Sequence, residues 1–294
     1  MMTTTPKFGL NSPSQITANF SRPKTAVRLR GIALPNEHGS WGILFEPLVA
    51  AVAVAFSAAA PFIAILFISS FLLRQPLRVW LADRAAGRDL PQTAAARKYA
   101  LIFFSMAVVG FVGSVSFAPP LSLLPLVLIM PLAAVQIRYD VARQSRRLLP
   151  ELCGAVALSS SAAIIALSAG WTPMAAAALS LVFVLRMIPS ILYVRNRLLL
   201  EKGKSHSIAV PVEAHILAFA VAVILALLGL CPILTAIMFA VLLGRAWIGM
   251  SPFRKKRKAM QIGVMEVVFG VLTVFSFVIG HYVGLFSSFR LCTK

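Results

Sequence analysis

Nine runs of predominantly apolar residues alternate with polar gaps along the chain, at 41–57, 61–82, 98–117, 120–137, 149–169, 173–194, 212–229, 231–248 and 260–285. A hydrocarbon core about 30 Å thick takes roughly 20 apolar residues to cross as a helix. The pattern therefore predicts nine transmembrane helices. The gaps between them alternate in kind. "SAAAP", "FAPP", "AGWTP" and "GLCP" are short and uncharged and end in proline, as tight turns do. "DRAAGRDLPQTAAARK", "RYDVARQSRR", "RNRLLLEKGKSH" and "RAWIGMSPFRKKRK" are basic. Of the 28 Lys and Arg, two lie in the C-terminal tail, and Arg74 and Arg186 lie well inside helices; the others fall in the N-terminal tail or in the basic gaps and their flanking turns. Basic excess marks cytoplasmic loops, so the N-terminus is expected in the cytoplasm and the C-terminus outside.

Composition agrees with the pattern. Apolar residues make up 59% of 294 positions, against roughly 45–50% in soluble domains, and mean hydropathy is +0.88. The formal charge of +19 would point to nucleic acid in a soluble chain. Its confinement to interhelical gaps gives it a topogenic role instead, and no nucleic-acid partner is expected. The run 254–258, "RKKRK", is read as a contact to anionic lipid headgroups. Residues 1–33 are rich in Thr, Ser, Pro and basic residues and lack a signal-type apolar core; they are expected to be a disordered cytoplasmic tail. Residues 34–288 form one transmembrane domain and 289–294 a short C-terminal tail. Cys153, Cys231 and Cys292 have no metal-ligand spacing, so neither a disulfide framework nor a zinc site is indicated.

Charges inside helices are costly, about 2.5–3.5 kcal/mol at the centre on insertion scales, and turn toward a partner or a wet cavity. Glu46, Arg74, Arg186 and Glu266 all fall roughly 8–12 Å below the cytoplasmic boundary at a rise of 1.5 Å per residue. Spacings of three and four residues put Gly39, Gly42, Glu46, Ala50 and Ala53 on one face, and Gly263, Glu266, Gly270 and Thr273 on another. Small stripes of this kind let helices approach closely. Arg186, Ser190, Tyr193 and Arg197 make a polar face leading to the cytoplasmic side. Two readings are open: neutralising pairs that tie helices together, with Arg186 or Arg74 the partner of Glu46, or the walls of a polar cavity. Snorkelling of Glu46 and Arg74 to the interface would weaken both. At the mouth, "NEHGSW" supplies Glu37 and His38, and "VEAHIL" supplies Glu213 and His215 from the same side. Hydrogen-bonding pairs are favoured there over a shared metal site.

"PNEHGSWGILFEPL", "RQPLRVWLADRAAGRDLP" and "IPSILYVRNRLLLEKG" closely resemble the bacterial YwiC-like family, over about residues 34–285. The resemblance implies a multi-pass protein of the bacterial cytoplasmic membrane and names no reaction. In layout the chain is also similar to the UbiA superfamily of intramembrane prenyltransferases. That likeness implies an all-α, UbiA-like bundle of nine helices, with magnesium and a polyprenyl pyrophosphate held by Asp-rich loops after helices 2 and 6. The chemistry departs from that pattern. Aligning N-x3-D-x3-D on Asp83 puts Gln75 and Val79 at its other positions, Asp89 lies six residues on, and the second loop is "YVRNRLLLEKGK". Arginine binds phosphate bidentately without metal. The expected site is therefore an anionic headgroup clamp of Arg78, Arg84, Arg195 and Arg197, with Asp83 as general base or residual ligand and magnesium not assured. An isoprenoid or phosphorylated lipid is the expected partner. A proton-coupled transporter using Glu46, Glu266 and Arg186, and a non-catalytic assembly factor, are the rival functions.

Overall fold

The computed structural model describes residues 38–87, 90–142 and 144–284, with the side chains of 38–40 outside that description. The predicted tails, Glu37 and Asp89 lie outside the described residues, and for His38 only its place in a helix is given. Every regular element among the described residues is helical. In order they are α1 (His38–Val54), α2 (Ala60–Ala85), α3 (Pro91–Phe117), a 3-10 turn (Pro120–Leu123), α4 (Leu124–Leu128), α5 (Met130–Val141), α6 (Leu148–Ser168), α7 (Pro173–Glu201), α8 (Ala209–Leu227), α9 (Ile233–Met250) and α10 (Ala259–Tyr282). Eight described segments are long and apolar enough to cross a membrane, and Trp41–Val54 is a shorter apolar helix. The chain is an all-helical, multi-pass membrane protein.

Helix starts follow proline and cap chemistry. Pro91 and Pro173 stand in the first turns of α3 and α7, where a missing N–H costs nothing, and the Thr172 hydroxyl accepts from the Ala175 N–H. Both helices extend past the apolar runs, into "PQTAAARK" at one end of α3 and to Glu201 at the end of α7. The fourth span, 120–141, is broken where the sequence pattern implied one helix. Pro120, Pro125 and Pro131 begin its three pieces, and proline cannot continue the hydrogen-bond ladder of a preceding turn.

Packing puts α6 at the centre. Its apolar window is 67% buried inside the bundle, against 6% for the fourth span, whose surface is left to lipid. Composition explains this: "LCGAVALSSSAAIIALS" offers small side chains on all sides. The hydroxyls of Ser159, Ser160 and Ser161 are spent on carbonyls of their own helix, those of Ala155, Ala157 and Leu158. α1 packs on α6 and α10 much more than on its sequence neighbour α2, while α2 packs chiefly on α3 and α7 on α6 and α8. This order places α1, α2, α5, α6, α7 and α10 around one internal space.

Candidate functional site

A cavity of about 520 Å³ lies among those six helices. At the end where the basic gaps lie, it is lined by Arg78, Ser145, Arg146 and Arg195; farther in, by Arg74, Asp140 and Gln136; at its far end by Glu46, Arg186, Ser190 and Glu266. Ile43, Phe71, Leu158, Met187, Ile191 and Val267 supply apolar wall between the charges. The predicted small faces contribute directly. A Cβ on Gly42 would stand 3.1 Å from Glu46 Oε1 within α1, and one on Gly270 would overlap that carboxylate, so α10 closes on α1 where Gly270 has no side chain. Gly263, just under one turn from Glu266, faces open space.

Three lining helices carry an interior proline close to a charged cavity residue: Pro47 after Glu46, Pro76 between Arg74 and Arg78, and Pro189 three residues after Arg186. Each removes a backbone donor and frees the carbonyl four residues earlier. In a membrane such irregular backbone is tolerated where it borders protein or a cavity.

The charges sort into two tiers. Near the basic end, Arg74 makes a two-pronged contact with the buried Asp140, its NH2 donating to Oδ1 at 2.9 Å and its Nε to Oδ2. Arg195 donates to Glu151 Oε2 at 2.8 Å and to the Arg146 carbonyl at 2.9 Å. Arg78 donates to Ser145 Oγ at 3.0 Å and to Gln75 Oε1 at 2.8 Å. Its guanidinium is thus held by neutral oxygens, with no carboxylate partner among the described residues. In the deeper tier Arg186 stands between two carboxylates, 3.6 Å from Glu46 Oε2 and 3.5 Å from Glu266 Oε2. It donates to Ser190 Oγ and, at 2.9 Å, to the Glu266 carbonyl. Arg245 of α9 closes on Glu266 Oε1 from behind and stacks over Tyr193 at 4.4 Å. Its NH2 lies 3.2 Å from His215 Nε2. Arginine can only donate, so Nε2 accepts and Nδ1–H donates to the Pro211 carbonyl at 2.7 Å.

Several expected site residues lie apart from the cavity lining. Asp83 is buried, but its carboxylate accepts from Thr93 Oγ1 at 2.8 Å and from Gln92 Nε2 at 3.2 Å, joining the end of α2 to the start of α3. Arg84 is exposed on the same turn. Arg197 is buried against Glu201 at 2.7 Å and the Lys255 carbonyl at 2.6 Å. Tyr193 faces Arg245 rather than the cavity, and Glu213 is exposed while its neighbour His215 is buried. Of the two partners open to Glu46, the fold supplies Arg186; Arg74 is taken by Asp140. Several contributors were missed from sequence, Ser145 and Arg146 of a basic gap among them. Asp140 fell beyond the predicted end of the fourth helix, Arg245 was counted with a basic gap, and Gln136 and Glu151 carried no signal except their place in helices flanking such gaps.

Asp83 therefore has a measurable structural role. Asp83→Ala strands the Thr93 hydroxyl and the Gln92 amide, and is expected to cost about 1–3 kcal/mol. Thermal denaturation in detergent measures it, with Asp83→Asn falling between the two.

A dinuclear magnesium site does not fit these residues. Among the described residues no three His, Cys, Asp or Glu side chains converge on a metal position, and the carboxylate of Asp83 is already engaged by two donors. Residues 34–166 match the family model described as YwiC-like protein. The chain is similar to YwiC-like proteins over that segment. No curated protein and no solved structure matches it. The YwiC-like segment holds α1 to α5 and almost all of α6, and hence Glu46, Arg74, Arg78, Asp140 and Glu151. Arg186, Arg195 and Glu266 come to the cavity from helices beyond it.

Proposed function

We propose that the cavity is a cytoplasm-facing intramembrane site for an anionic amphiphile, a phosphorylated lipid or an isoprenoid phosphate, in the bacterial cytoplasmic membrane. One observation carries this reading: a 520 Å³ space whose basic end bears Arg78, Arg146 and Arg195 and whose walls include apolar side chains. A headgroup satisfies the first feature and a hydrocarbon chain the second. Arg78 is the natural first contact, because exchanging neutral oxygens for a phosphate gains a charge-assisted, two-pronged bond and breaks no ion pair. The positive-inside pattern supports the orientation, and the similarity in layout to the UbiA superfamily supports the ligand class. Transferase chemistry through Asp83 is not part of the reading, since that carboxylate lies away from the cavity.

Native mass spectrometry of detergent-purified protein tests it. The parent is expected to retain a phosphorylated lipid or isoprenoid phosphate, and Arg78→Ala combined with Arg195→Ala to lose most of it. A parent that carries no such adduct even after incubation with dodecyl phosphate sinks the reading. Equal retention by parent and double variant moves the ligand elsewhere.

The deeper tier favours a second reading, a proton-coupled transporter. Glu46 Oε2, Arg186 Nε and Glu266 Oε2 are all buried without a hydrogen-bond partner, where a purely structural cluster would be expected to close its contacts. Uptake into proteoliposomes that survives Glu46→Gln and Glu266→Gln would count against that function.

A further inference from the structure

Glu46 and Glu266 approach different edges of one guanidinium and are not equally compensated. Glu266 has two cations, Arg186 at 3.5 Å on Oε2 and Arg245 on Oε1. Glu46 has Arg186 alone, at 3.6 Å and without a hydrogen bond, leaving Oε2 and Arg186 Nε unsatisfied. The elements packed on α1 offer Glu46 no other cation at that depth among the described residues. Arg74 of α2 is turned to Asp140 and Glu151 of α6 to Arg195; α7 contributes Arg186; α10 contributes Glu266, backed by Arg245 of α9, and Gly270. Glu46 is thus the less closely paired of the two carboxylates that share Arg186. It also lines the cavity, which gives a proton a path to it.

We propose that Glu46 is a proton-binding site, and that an anion entering the cavity draws Arg186 away from Glu46, so that anion binding and proton uptake are linked. The proton comes from cavity water and bonds to a Glu46 oxygen. The neutral carboxyl then becomes a donor toward Glu266, and Arg186 turns its Nε to the incoming anion. The order of charges is kept: one negative group enters as one is neutralised. The proton site stands on the geometry of the cluster, whereas the linkage rests on the anionic-ligand reading above.

Infrared difference spectroscopy of the purified protein tests both parts. As pH falls, the parent is expected to develop, beside the bands of its other carboxyls, a C=O stretch that is missing from the difference spectrum of Glu46→Gln and retained in Glu266→Gln. At a pH where that band is half developed, dodecyl phosphate is expected to raise it. Glu46→Asp, which keeps the carboxyl, should shift the band, and reads the same group if Glu46→Gln does not fold. A band that never forms in the parent, or that neither Glu46 variant alters, overturns the proton site. A Glu46-dependent band that ignores dodecyl phosphate shown to be bound by native mass spectrometry overturns the linkage and leaves the binding reading intact. Absence of any bound dodecyl phosphate overturns the anionic-ligand reading and the linkage together, while the pH titration decides the proton site by itself.

Discussion

Arg186→Ala will melt far below the parent protein, losing about 3–5 kcal/mol, the usual cost of breaking a buried ion pair from one side. The side chain is 3% exposed, and among the described residues it is the only cation within 4 Å of Glu46. Removing it also strips a donor from the Ser190 hydroxyl and from the Glu266 carbonyl. Most of the loss therefore comes from what is left behind, an uncompensated carboxylate between α1 and α10. Arg186→Met together with Glu46→Gln removes both charges at similar volume and should recover much of the melting temperature, a non-additivity expected of contacting groups. Arg74→Ala provides the contrast. Its side chain is 32% exposed although that of Asp140 is only 5% exposed, so solvent screens the pair in part and the loss should be smaller than that of Arg186→Ala. Thermal denaturation of the four proteins in one detergent measures this; equal melting of Arg186→Ala and the parent would show that the deep cluster holds nothing together.

The second large effect is expected at Gly110 of α3. A Cβ there would stand 2.9 Å from Leu66 Cα and from the Phe62 carbonyl oxygen, both in the backbone of α2. Backbone cannot swing aside as a side chain can, so Gly110→Ala must push α2 and α3 apart. Overpacking of this kind costs about 1–3 kcal/mol, and Gly110→Val more. Gly113, three residues on and on the same face, receives the Phe62 ring, a side chain rather than backbone. Gly244→Ala and Gly263→Ala are the controls, because nothing lies within 4 Å of either Cβ; better helix propensity should leave them unchanged or slightly more stable. A Gly110→Ala protein that melts with those controls would refute the close α2–α3 approach.

Much of the deep site was legible in the sequence. Glu46, Arg186 and Glu266 stood out because a charge interrupts an apolar run and carries its own energetic flag. Gly42 and Gly270 followed from helical spacing around them, and Ser190 from its place four residues after Arg186. Asp140 and Arg245 were not legible for one shared reason. Each lies in the last turns of a helix, beside a basic gap, where a charge is unremarkable by composition. At Asp83 the role expected from the likeness to the UbiA superfamily could not include its neighbours, since the start of α3 brings Thr93 and Gln92 to that carboxylate. The Gly110–Gly113 face was overlooked because no polar residue drew attention to it.

The amino-acid sequence alone determined that this chain crosses a membrane many times, which segments do so, and which polar side chains have no business in lipid. Those conclusions rest on local quantities, the length and polarity of each run, and hydrocarbon imposes them segment by segment. Only the tertiary structure decided that α1 packs on α6 and α10 instead of α2, and with it that Glu46 meets Arg186 while Arg74 goes to Asp140. Helical periodicity says which residues share a face but not which helix that face will meet. That choice depends on how small residues on α6, α1 and α10 let particular backbones close together, a property of the assembled bundle that no single segment contains.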